Sequence, residues 1–300
     1  MAVVKLIGNT PLYKLQTPTR GAEVWIKLEG GNPGGSIKDR AALGMLKMAE
    51  QNGSLEGKGV LIESTSGNMG IALALIGRAL GFRVVLTMPE SMSVERRTVL
   101  ASFGAELVLT PSSEGMAGAG QAAERILSTT EGSIMLDQFS HPGNPAVHEE
   151  TTGPEILRSL HGNKKLAAFV AGFGTGGTIS GVGRALLENC PDVEVIAVEP
   201  AASPLITAGT TGSHQIQGIG ANFIPRNLDR TIISRFIAVS DEDAVKTAKW
   251  LAREEGLFSG VSTGANVWAA MEIAKGLPED SIVVTIQPDR GDKYLSVYMK

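Results

Sequence analysis

Residues 166–178 read LAAFVAGFGTGGT, an apolar run that passes directly into a glycine-rich turn. Residues 166–171 have the length and the continuous apolar character of a strand that is covered on both faces. Residues 172–178 follow where a parallel strand would lead into a helix. In such folds, ligands bind beyond the carboxyl ends of the strands, at loops that lead into helix N-termini. The stretch therefore predicts a doubly wound α/β fold with a binding loop at this place.

The same alternation of short apolar runs and helical patterns continues along the chain. The predicted strands are residues 24–28, 60–62, 84–88, 107–110, 134–136, 166–171, 193–198, 236–239 and 282–286. Patterns of period 3.6 predict helices between them, for example over residues 41–49 and 71–80 and after Ser240. This alternation predicts parallel sheets with helices on both faces. Because one compact sheet rarely holds so many strands, we expect two doubly wound, three-layer (αβα) domains.

Composition narrows the class of protein. The chain has 300 residues and 37 glycines, which fall in short clusters without a repeat period, so it is neither collagen-like nor of low complexity. The net charge of −4 is spread without basic blocks and gives no support for nucleic-acid binding.

No apolar run is long enough for a membrane span, and no secretory signal is visible. A single cysteine, Cys190, excludes an internal disulfide and favours a reducing compartment. We expect a cytoplasmic protein.

A dinucleotide fingerprint is one interpretation of the glycine-rich turn. Gly172, Gly174 and Gly177 match G-x-G-x-x-G, and the acidic Glu199 follows at the expected spacing. This pattern keeps an NAD-dependent oxidoreductase open as an alternative. The loop's Thr and Gly residues suit one compact phosphate ester equally well.

Two further chemistries find little support. Residues 260–264 match the G-x-S-x-G of a hydrolase nucleophile, but His141, His148, His161 and His214 all precede Ser262, which is the wrong order for the triad. No histidine has a Cys or acidic partner at metal-ligand spacing, so we predict no metal site. Residues 289–292 are interpreted as a polar loop with internal charge pairing, and Cys190 as a structural residue.

Lys38 is the remaining candidate for chemistry. It follows the Pro/Gly-rich segment 32–37 and stands at the start of a predicted helix. The positive end of a helix dipole would help to lower the pKa of its amine. A lone lysine is usually a solvated charge, so the hypothesis depends on the other segments.

Read together, these segments resemble the cysteine synthase (O-acetylserine sulfhydrylase) family of the fold type II pyridoxal-phosphate enzymes. The resemblance covers nearly the whole chain. The matching segments are residues 7–12, 36–40, 65–70, 88–97, 138–139, 144–145, 151–156, 174–178, 217–220 and 260–264. The ending at residues 289–296 is similar to the shorter B-type enzymes, whereas residues 217–220 are closer to the A type.

The resemblance implies a bound pyridoxal 5'-phosphate. Lys38 would hold it as a Schiff base and then act as the base at the substrate α-carbon. Asn68 would bind the phenolic oxygen of the cofactor, and Ser262 would face its pyridine nitrogen. The residues implied around its phosphate are Gly174, Thr175, Gly176, Gly177 and Thr178.

The resemblance also implies the substrates. An amino-acid carboxylate would be bound by Thr65, Ser66, Gly67, Met69 and Gln138, with Gly220 also lining the substrate site. O-Acetylserine would lose acetate, sulfide would add at the β-carbon, and Lys38 would return the proton.

Met69 departs from the family pattern, because cysteine synthases usually carry Thr there and β-cyanoalanine synthases typically carry Met. Ala171 and Thr175 follow the sulfhydrylase pattern, so sulfide is the expected acceptor. A β-cyanoalanine synthase or a thiosulfate-using S-sulfocysteine synthase stays open as an alternative.

The resemblance implies a homodimer and two domains. Residues 38–142 would form a smaller domain that moves to close the site, and residues 1–37 plus 143–300 would form the larger, cofactor-binding domain.

Overall fold

A computed structural model of the chain describes residues 2–16, 21–160, 162 and 164–299. Its strands are β1 (Leu12–Lys14), β2 (Glu23–Leu28), β3 (Val60–Ser64), β4 (Arg83–Pro89), β5 (Glu106–Thr110), β6 (Ser133–Ile134), β7 (Lys165–Gly172), β8 (Glu194–Pro200), β9 (Arg235–Val239) and β10 (Ser281–Gln287). Its α-helices are α1 (Lys38–Gln51), α2 (Asn68–Ala79), α3 (Val94–Ser102), α4 (Gly115–Thr129), α5 (Gly143–Val147), α6 (Gly153–Ser159), α7 (Gly177–Asn189), α8 (Asp241–Glu254), α9 (Val261–Ala274) and α10 (Leu295–Tyr298). Within this part of the chain, no helix is long and apolar enough to cross a membrane.

The chain divides into two compact units, each with its own sheet. Unit 1 comprises Met1–Ile7 and Asn32–Asn144, and unit 2 comprises Gly8–Gly31 and Pro145–Lys300. The domain boundary that we expected, with residues 38–142 as a smaller mobile domain, concerns motion and stays a prediction.

Unit 1 is a three-layer sandwich around a parallel sheet of order β5-β4-β3-β6. Side chains alternate along the central strands. Leu61 and Val84 face the cluster formed with α1 and α2, whereas Ile62 and Val85 face Ala123 of α4. Both faces of the sheet are therefore covered, which explains why these strands read as continuous apolar runs.

Unit 2 is built around a six-stranded sheet of order β1-β2-β10-β7-β8-β9. Ile196 of β8 packs into the cluster that includes α8 and α9, whereas the adjacent Val195 lies close to Gly183 of α7. Helices therefore cover both faces of this sheet too. The predicted fold class, two doubly wound αβα domains, is confirmed.

The predicted strands all form, with small shifts at their ends, but one strand was missed. β1 has three half-buried or exposed residues and pairs antiparallel with β2, whereas all other pairs are parallel. A short edge strand with Tyr and Lys carries no continuous apolar run, so the pattern could not reveal it. β6 is also shorter than predicted, ending at Ile134 rather than residue 136.

Candidate active site

The predicted site residues fall into two sets, one in each unit. Unit 1 carries Lys38, Thr65, Ser66, Gly67, Asn68, Met69 and Gln138, and unit 2 carries Gly174, Thr175, Gly176, Gly177, Thr178, Gly220 and Ser262.

Lys38 is the first residue of α1 and is half-buried. The loop before it is fixed by the buried Asp39, whose Oδ2 accepts a hydrogen bond of 2.5 Å from the amide of Gly34. A Cβ at Gly34 would lie 2.4 Å from Oδ1 of Asp39, so the loop needs glycine there. The amide of Lys38 donates to Oγ of Ser36 at 3.2 Å. These contacts hold the backbone of Lys38 at the helix N-terminus.

The loop from Thr65 to Gly67 leads from β3 into α2, which begins at Asn68. Gly67 is the N-cap of this helix, no side chain caps it, and no acidic residue stands in its first turn. Helix N-termini with uncapped amides attract anions such as a carboxylate. Oγ1 of Thr65 lies within 3.4 Å of the Gly67 amide and helps to shape the loop.

Met69 is buried, with 2% of its surface exposed, and packs in the apolar cluster of α1, α2 and β4. Its thioether belongs to the core beneath the loop. Its predicted contact with substrate stays a prediction.

The backbone around Gln138 is held from several directions. Asp137 has a φ of 53°, in the left-handed region that non-glycine residues rarely adopt. Its carboxylate accepts hydrogen bonds from the amide of Phe139 (3.1 Å) and from Oγ of Ser140 (2.5 Å). The carbonyl of Gln138 accepts a hydrogen bond of 2.8 Å from Nδ2 of Asn144. Gln138 itself is buried.

Glu63 of β3 is a buried acid that the sequence analysis did not single out. Burial raises its pKa to about 7, and the negative charge of Asp137 adds to the rise. Interaction with the backbone of Leu136 and Asp137 acts in the opposite direction. An acidic residue within an apolar run was the only signal of this position in the sequence.

In unit 2, the glycine-rich turn lies against neighbouring backbone. A Cβ at Gly174 would lie 2.3 Å from the carbonyl oxygen of Gly218. Gly176 has a φ of 81°, and a Cβ there would lie 2.7 Å from Cα of Leu228. Glycine is required at both positions by close approach, and at Gly176 also by conformation.

The N-terminus of α7 differs from that of α8 in a way that fits an anionic ligand. α8 is capped by Oγ of Ser240, which accepts from the amide of Asp243 at 3.0 Å, and three acidic residues stand in its first turn. α7 has Gly176 as its N-cap, which makes no side-chain cap hydrogen bond, and it has no acidic residue in its first turn. Oγ1 of Thr175 lies 3.5 Å from the amide of Gly177. The helix dipole and the first-turn amides of α7 therefore favour a phosphate group.

His148 supports this turn, although the sequence predicts only an ordinary core or surface histidine at this position. It begins a π-helical turn, His148–Thr152, and is buried. Its Nδ1 lies 2.9 Å from Oγ1 of Thr152, and its Nε2 lies 3.4 Å from Oγ1 of Thr178. The imidazole thus orients one of the hydroxyl groups predicted to bind phosphate.

Gly220 and Ser262 lie at two further loops of unit 2. The amide of Gly220 donates to the carbonyl of Phe173 at 3.1 Å, so the structure brings Gly220 to the glycine-rich turn. Ser262 is buried in the first turn of α9, whose N-cap is Gly260 and which also lacks a capping side chain. A Cβ at Gly260 would lie 2.2 Å from Oδ1 of the buried Asp289, so the packing leaves no room for a side chain at this helix start.

Glu199, the acid of the dinucleotide fingerprint, already has hydrogen-bond partners within the protein. It is buried, and its carboxylate accepts hydrogen bonds of 2.9 Å from the amides of Ile206 and Thr207. This arrangement does not support the dinucleotide interpretation, because the group expected to bind a ribose already has partners.

The remaining residues considered in the sequence are those of the polar loop 289–292, Cys190 and the histidines. Arg290 pairs with Asp292 at 3.3 Å, which confirms internal charge pairing in that loop. Cys190 is a half-buried free cysteine. Among the described residues, no group of three or more His, Cys, Asp or Glu side chains could hold a metal ion. His161 lies outside the described residues.

The fold and these sites define a class of protein: an α/β enzyme with a loop for a phosphate-bearing cofactor and a lysine at a helix start. The chain belongs to the family described as pyridoxal-phosphate dependent enzymes, whose model matches residues 3–289. The amides and hydroxyls at α7 fit the phosphate of that cofactor, and the amine of Lys38 fits its aldehyde. The family assignment and the internal bonds of Glu199 leave the nicotinamide alternative without support.

Individual relatives match along nearly the whole chain. A cysteine synthase of Staphylococcus aureus (strain Mu50) is 46% identical over 296 residues, which cover 98% of this chain and 95% of the relative. The solved structure of a cysteine synthase from Entamoeba histolytica has a TM-score of 0.91 and 35% identity, covering 99% of this chain and 90% of that one. The structure of an O-ureido-L-serine synthase has a TM-score of 0.93 and 41% identity, covering 98% of this chain and 93% of that one.

Proposed function

We propose that this chain is a cysteine synthase, which replaces the acetate of O-acetyl-L-serine with sulfide to give L-cysteine and acetate. The observation that carries the proposal is its 46% identity to a cysteine synthase over 98% of the chain. The structural likeness to a second cysteine synthase supports it.

The residues proposed to hold pyridoxal phosphate are those that the family resemblance implies. The amine of Lys38 would carry the cofactor, and Asn68 would bind its phenolic oxygen. Amides and hydroxyls of Gly174, Thr175, Gly176, Gly177 and Thr178 would bind its phosphate at the uncapped start of α7. Ser262, in the uncapped first turn of α9, would place a neutral hydroxyl near the pyridine nitrogen.

When bound, pyridoxal phosphate supplies an electron sink for negative charge at the substrate α-carbon. The Nζ of Lys38 removes the α-proton, holds it while acetate is replaced by sulfide at the β-carbon, and returns it to the α-carbon. The substrate carboxylate lies at the uncapped start of α2, where Thr65, Ser66, Gly67 and the backbone of Met69 bind it. Gln138 and Gly220 complete the substrate set. A fixed position for Lys38 serves this step because proton transfer requires hydrogen-bond reach.

Sulfide is the proposed acceptor, and the choice between sulfide, thiosulfate and cyanide is open to direct comparison. Met69 lies in the core beneath the substrate loop, so its effect on acceptor preference would pass through the loop's shape. We propose that cysteine formation from sulfide outpaces formation of S-sulfocysteine or β-cyanoalanine.

We further propose that the protein works in the cytoplasm as a homodimer, with residues 38–142 as a smaller, mobile domain. Family resemblance supports the dimer and the motion. The single cysteine of the chain supports a reducing compartment.

The function is tested with purified protein loaded with pyridoxal phosphate. We expect a yellow protein whose chromophore is trapped by borohydride on Lys38, as mapped by mass spectrometry, and which forms cysteine from O-acetylserine and sulfide. Lys38→Ala should lose at least ~10³-fold in rate, since it removes both the attachment and the base. Lys47→Ala, an exposed lysine on the same helix, is the matched control. A colourless wild-type protein, or a yellow one that forms no cysteine, would overturn the proposal.

A further inference from the structure

The central strands of the unit 2 sheet, β7 and β10, separate before they end. They pair in parallel as far as Val170 with Thr285. Beyond this pair each strand continues with its other neighbour, so that Gly172 pairs with β8 and Ile286 pairs with β2. The chain runs outward from β7 through β8 and β9 and returns as β10 on the opposite side of β7. The gap therefore opens where the strand order reverses, which is the place where open α/β sheets bind ligands.

The side chain of Asn266, on α9, bridges this gap. Its Oδ1 accepts a hydrogen bond of 2.7 Å from the amide of Gly172, and its Nδ2 donates one of 2.9 Å to the carbonyl of Ile286. If the ladder continued in the register of Val170 with Thr285, these two backbone groups would pair with each other. The carboxamide therefore takes the place of a backbone pair between the two strand ends.

A polar side chain is costly to bury at this position. Asn266 is 1% exposed, and its neighbours on α9, Ala265 and Val267, belong to the apolar core of unit 2. An aliphatic residue would bury more favourably, but the buried carbonyl of Ile286 would lose its donor. A Cβ at Gly172 would lie 3.1 Å from Oδ1 of Asn266, so glycine leaves room for the carboxamide to approach. Both bonds of the carboxamide thus depend on this local geometry.

Asn266 connects two segments of the proposed cofactor site. Gly172 is the last residue of β7 and begins the glycine-rich turn. Asn266 follows Ser262 by four residues on α9, a spacing that places both side chains on one face of the helix. One side chain therefore links the start of the turn to the helix that carries Ser262. The turn and Ser262 are proposed to bind different groups of the same ligand, so their spacing matters for its affinity.

We propose that Asn266 is a positioning residue that fixes the glycine-rich turn relative to the start of α9 and thereby sets the affinity for pyridoxal phosphate. The inference rests on the proposed function, because that function assigns the turn and Ser262 to the cofactor. Asn266 touches neither cofactor nor substrate in this role. Its effect passes through the amide of Gly172 and the carbonyl of Ile286.

The test compares two substitutions with a control in the full chain. Asn266→Leu keeps a side chain of similar size but removes both hydrogen bonds. Asn266→Ser places its hydroxyl oxygen where Cγ of Asn266 lies, one bond short of both contact atoms. The control is Thr285→Val in β10. It deletes a buried hydrogen bond of 2.6 Å to the carbonyl of Val170 between the same two strands but leaves Gly172 and Ile286 untouched.

Two readouts are measured: amide hydrogen exchange at Gly172 in the enzyme saturated with cofactor, and the Kd for pyridoxal phosphate from a fluorescence titration. We expect Asn266→Leu to speed exchange and to raise the Kd, each about 10-fold, because the amide loses its acceptor. Asn266→Ser should change both in the same direction. Thr285→Val should lower the melting temperature but keep both readouts within about 2-fold of wild type, since its lost bond lies outside the bridge.

Three outcomes would overturn the proposal: faster exchange at Gly172 with an unchanged Kd, unchanged exchange in Asn266→Leu, or an equal rise of the Kd in Thr285→Val. If Asn266→Leu does not fold, Asn266→Ser decides by the same two readouts. If the wild type binds the cofactor but forms no cysteine, the proposed function fails. The Kd and the exchange need no reaction and still decide the role of Asn266.

Discussion

At the scale of single residues, Gly176 is the position where conformation and packing act together. Both Gly176 and Gly209 have positive φ values, 81° and 68°, and both lie in unit 2. A Cβ at Gly176 would lie 2.7 Å from backbone atoms of Leu228, whereas a Cβ at Gly209 meets nothing within 4 Å. We expect Gly209→Ala to cost about 1 kcal/mol from backbone strain alone. Gly176→Ala should cost more and weaken pyridoxal phosphate binding at least ~10-fold, because the loop must move.

Thermal unfolding and a fluorescence titration with pyridoxal phosphate measure the two effects. Equal cofactor affinity in Gly176→Ala and Gly209→Ala would show that the close approach to Leu228 does not shape the phosphate loop.

Glu63 gives a second prediction at this scale, concerning pH. The folded protein keeps the proton of Glu63 up to its raised pKa of about 7, whereas the unfolded chain loses it near the ordinary value of 4.5. Between these values the folded state binds more protons, so wild-type stability falls as pH rises. Glu63→Gln does not titrate. We therefore expect its melting temperature, relative to wild type, to rise between pH 5 and pH 8. A difference that stays constant over this range would contradict a raised pKa for Glu63.

At the scale of elements, a buried ion pair links β2 to α6 within unit 2. Nζ of Lys27 lies 2.7 Å from Oε2 of Glu155 and donates to the carbonyl of Thr10 at 2.5 Å, and Oε1 of Glu155 accepts from the amide of Asn9 at 2.9 Å. Both charged side chains are almost fully buried. Lys27→Met would leave the carboxylate buried without its cation, at a cost of about 3–5 kcal/mol.

The matched control for that pair lies on the neighbouring strand. Lys14 of β1 pairs with Glu23 at the surface, and the lysine side chain is 45% exposed. Lys14→Met should cost about 0–1 kcal/mol, since exposed pairs contribute little. Urea unfolding of both variants measures the difference. Similar losses in the two would mean that water reaches Glu155 despite its burial.

The elements also show what the sequence could predict. Strands such as β7 and β8 are continuous apolar runs because helices cover both faces, so their pattern alone is sufficient. β1 was missed because a short edge strand forms through backbone hydrogen bonds to its partner. It therefore needs no periodic pattern of apolar side chains. The early end of β6 was missed because residues 135 and 136 continue the apolar pattern although the pairing with β3 stops at Ile134.

At the scale of the whole molecule, the proposed cofactor and substrate residues come from ordered motifs rather than from any single one. Lys38 and the glycine-rich turn stand at helix starts, as their local patterns predicted. The buried surroundings of Glu63 and the hydrogen bonds of His148 form only after folding, so local sequence could not predict them. The part of the proposed site that the sequence could predict therefore lies in the first turns of helices and the loops before them.

Those helix starts lead to a prediction for the loaded protein. α2, α7 and α9 all begin at a glycine N-cap that makes no side-chain cap hydrogen bond, so anionic ligands bound at these helix starts should stabilise the fold. A ligand at about 100 times its Kd adds about 2.7 kcal/mol to the free energy of unfolding. At roughly 2 °C per kcal/mol for a chain of this size, we expect pyridoxal phosphate to raise the melting temperature by about 5 °C.

Lys38→Ala separates the two sources of that stabilisation. It retains the amides of α7 but lacks the amine, so at the same cofactor concentration its rise should be smaller than that of wild type but above zero. Lys47→Ala should match wild type. Differential scanning calorimetry with and without pyridoxal phosphate measures all three proteins. No rise in Lys38→Ala would mean that the α7 loop contributes nothing without the amine, and a full rise would mean that Lys38 does not carry the cofactor.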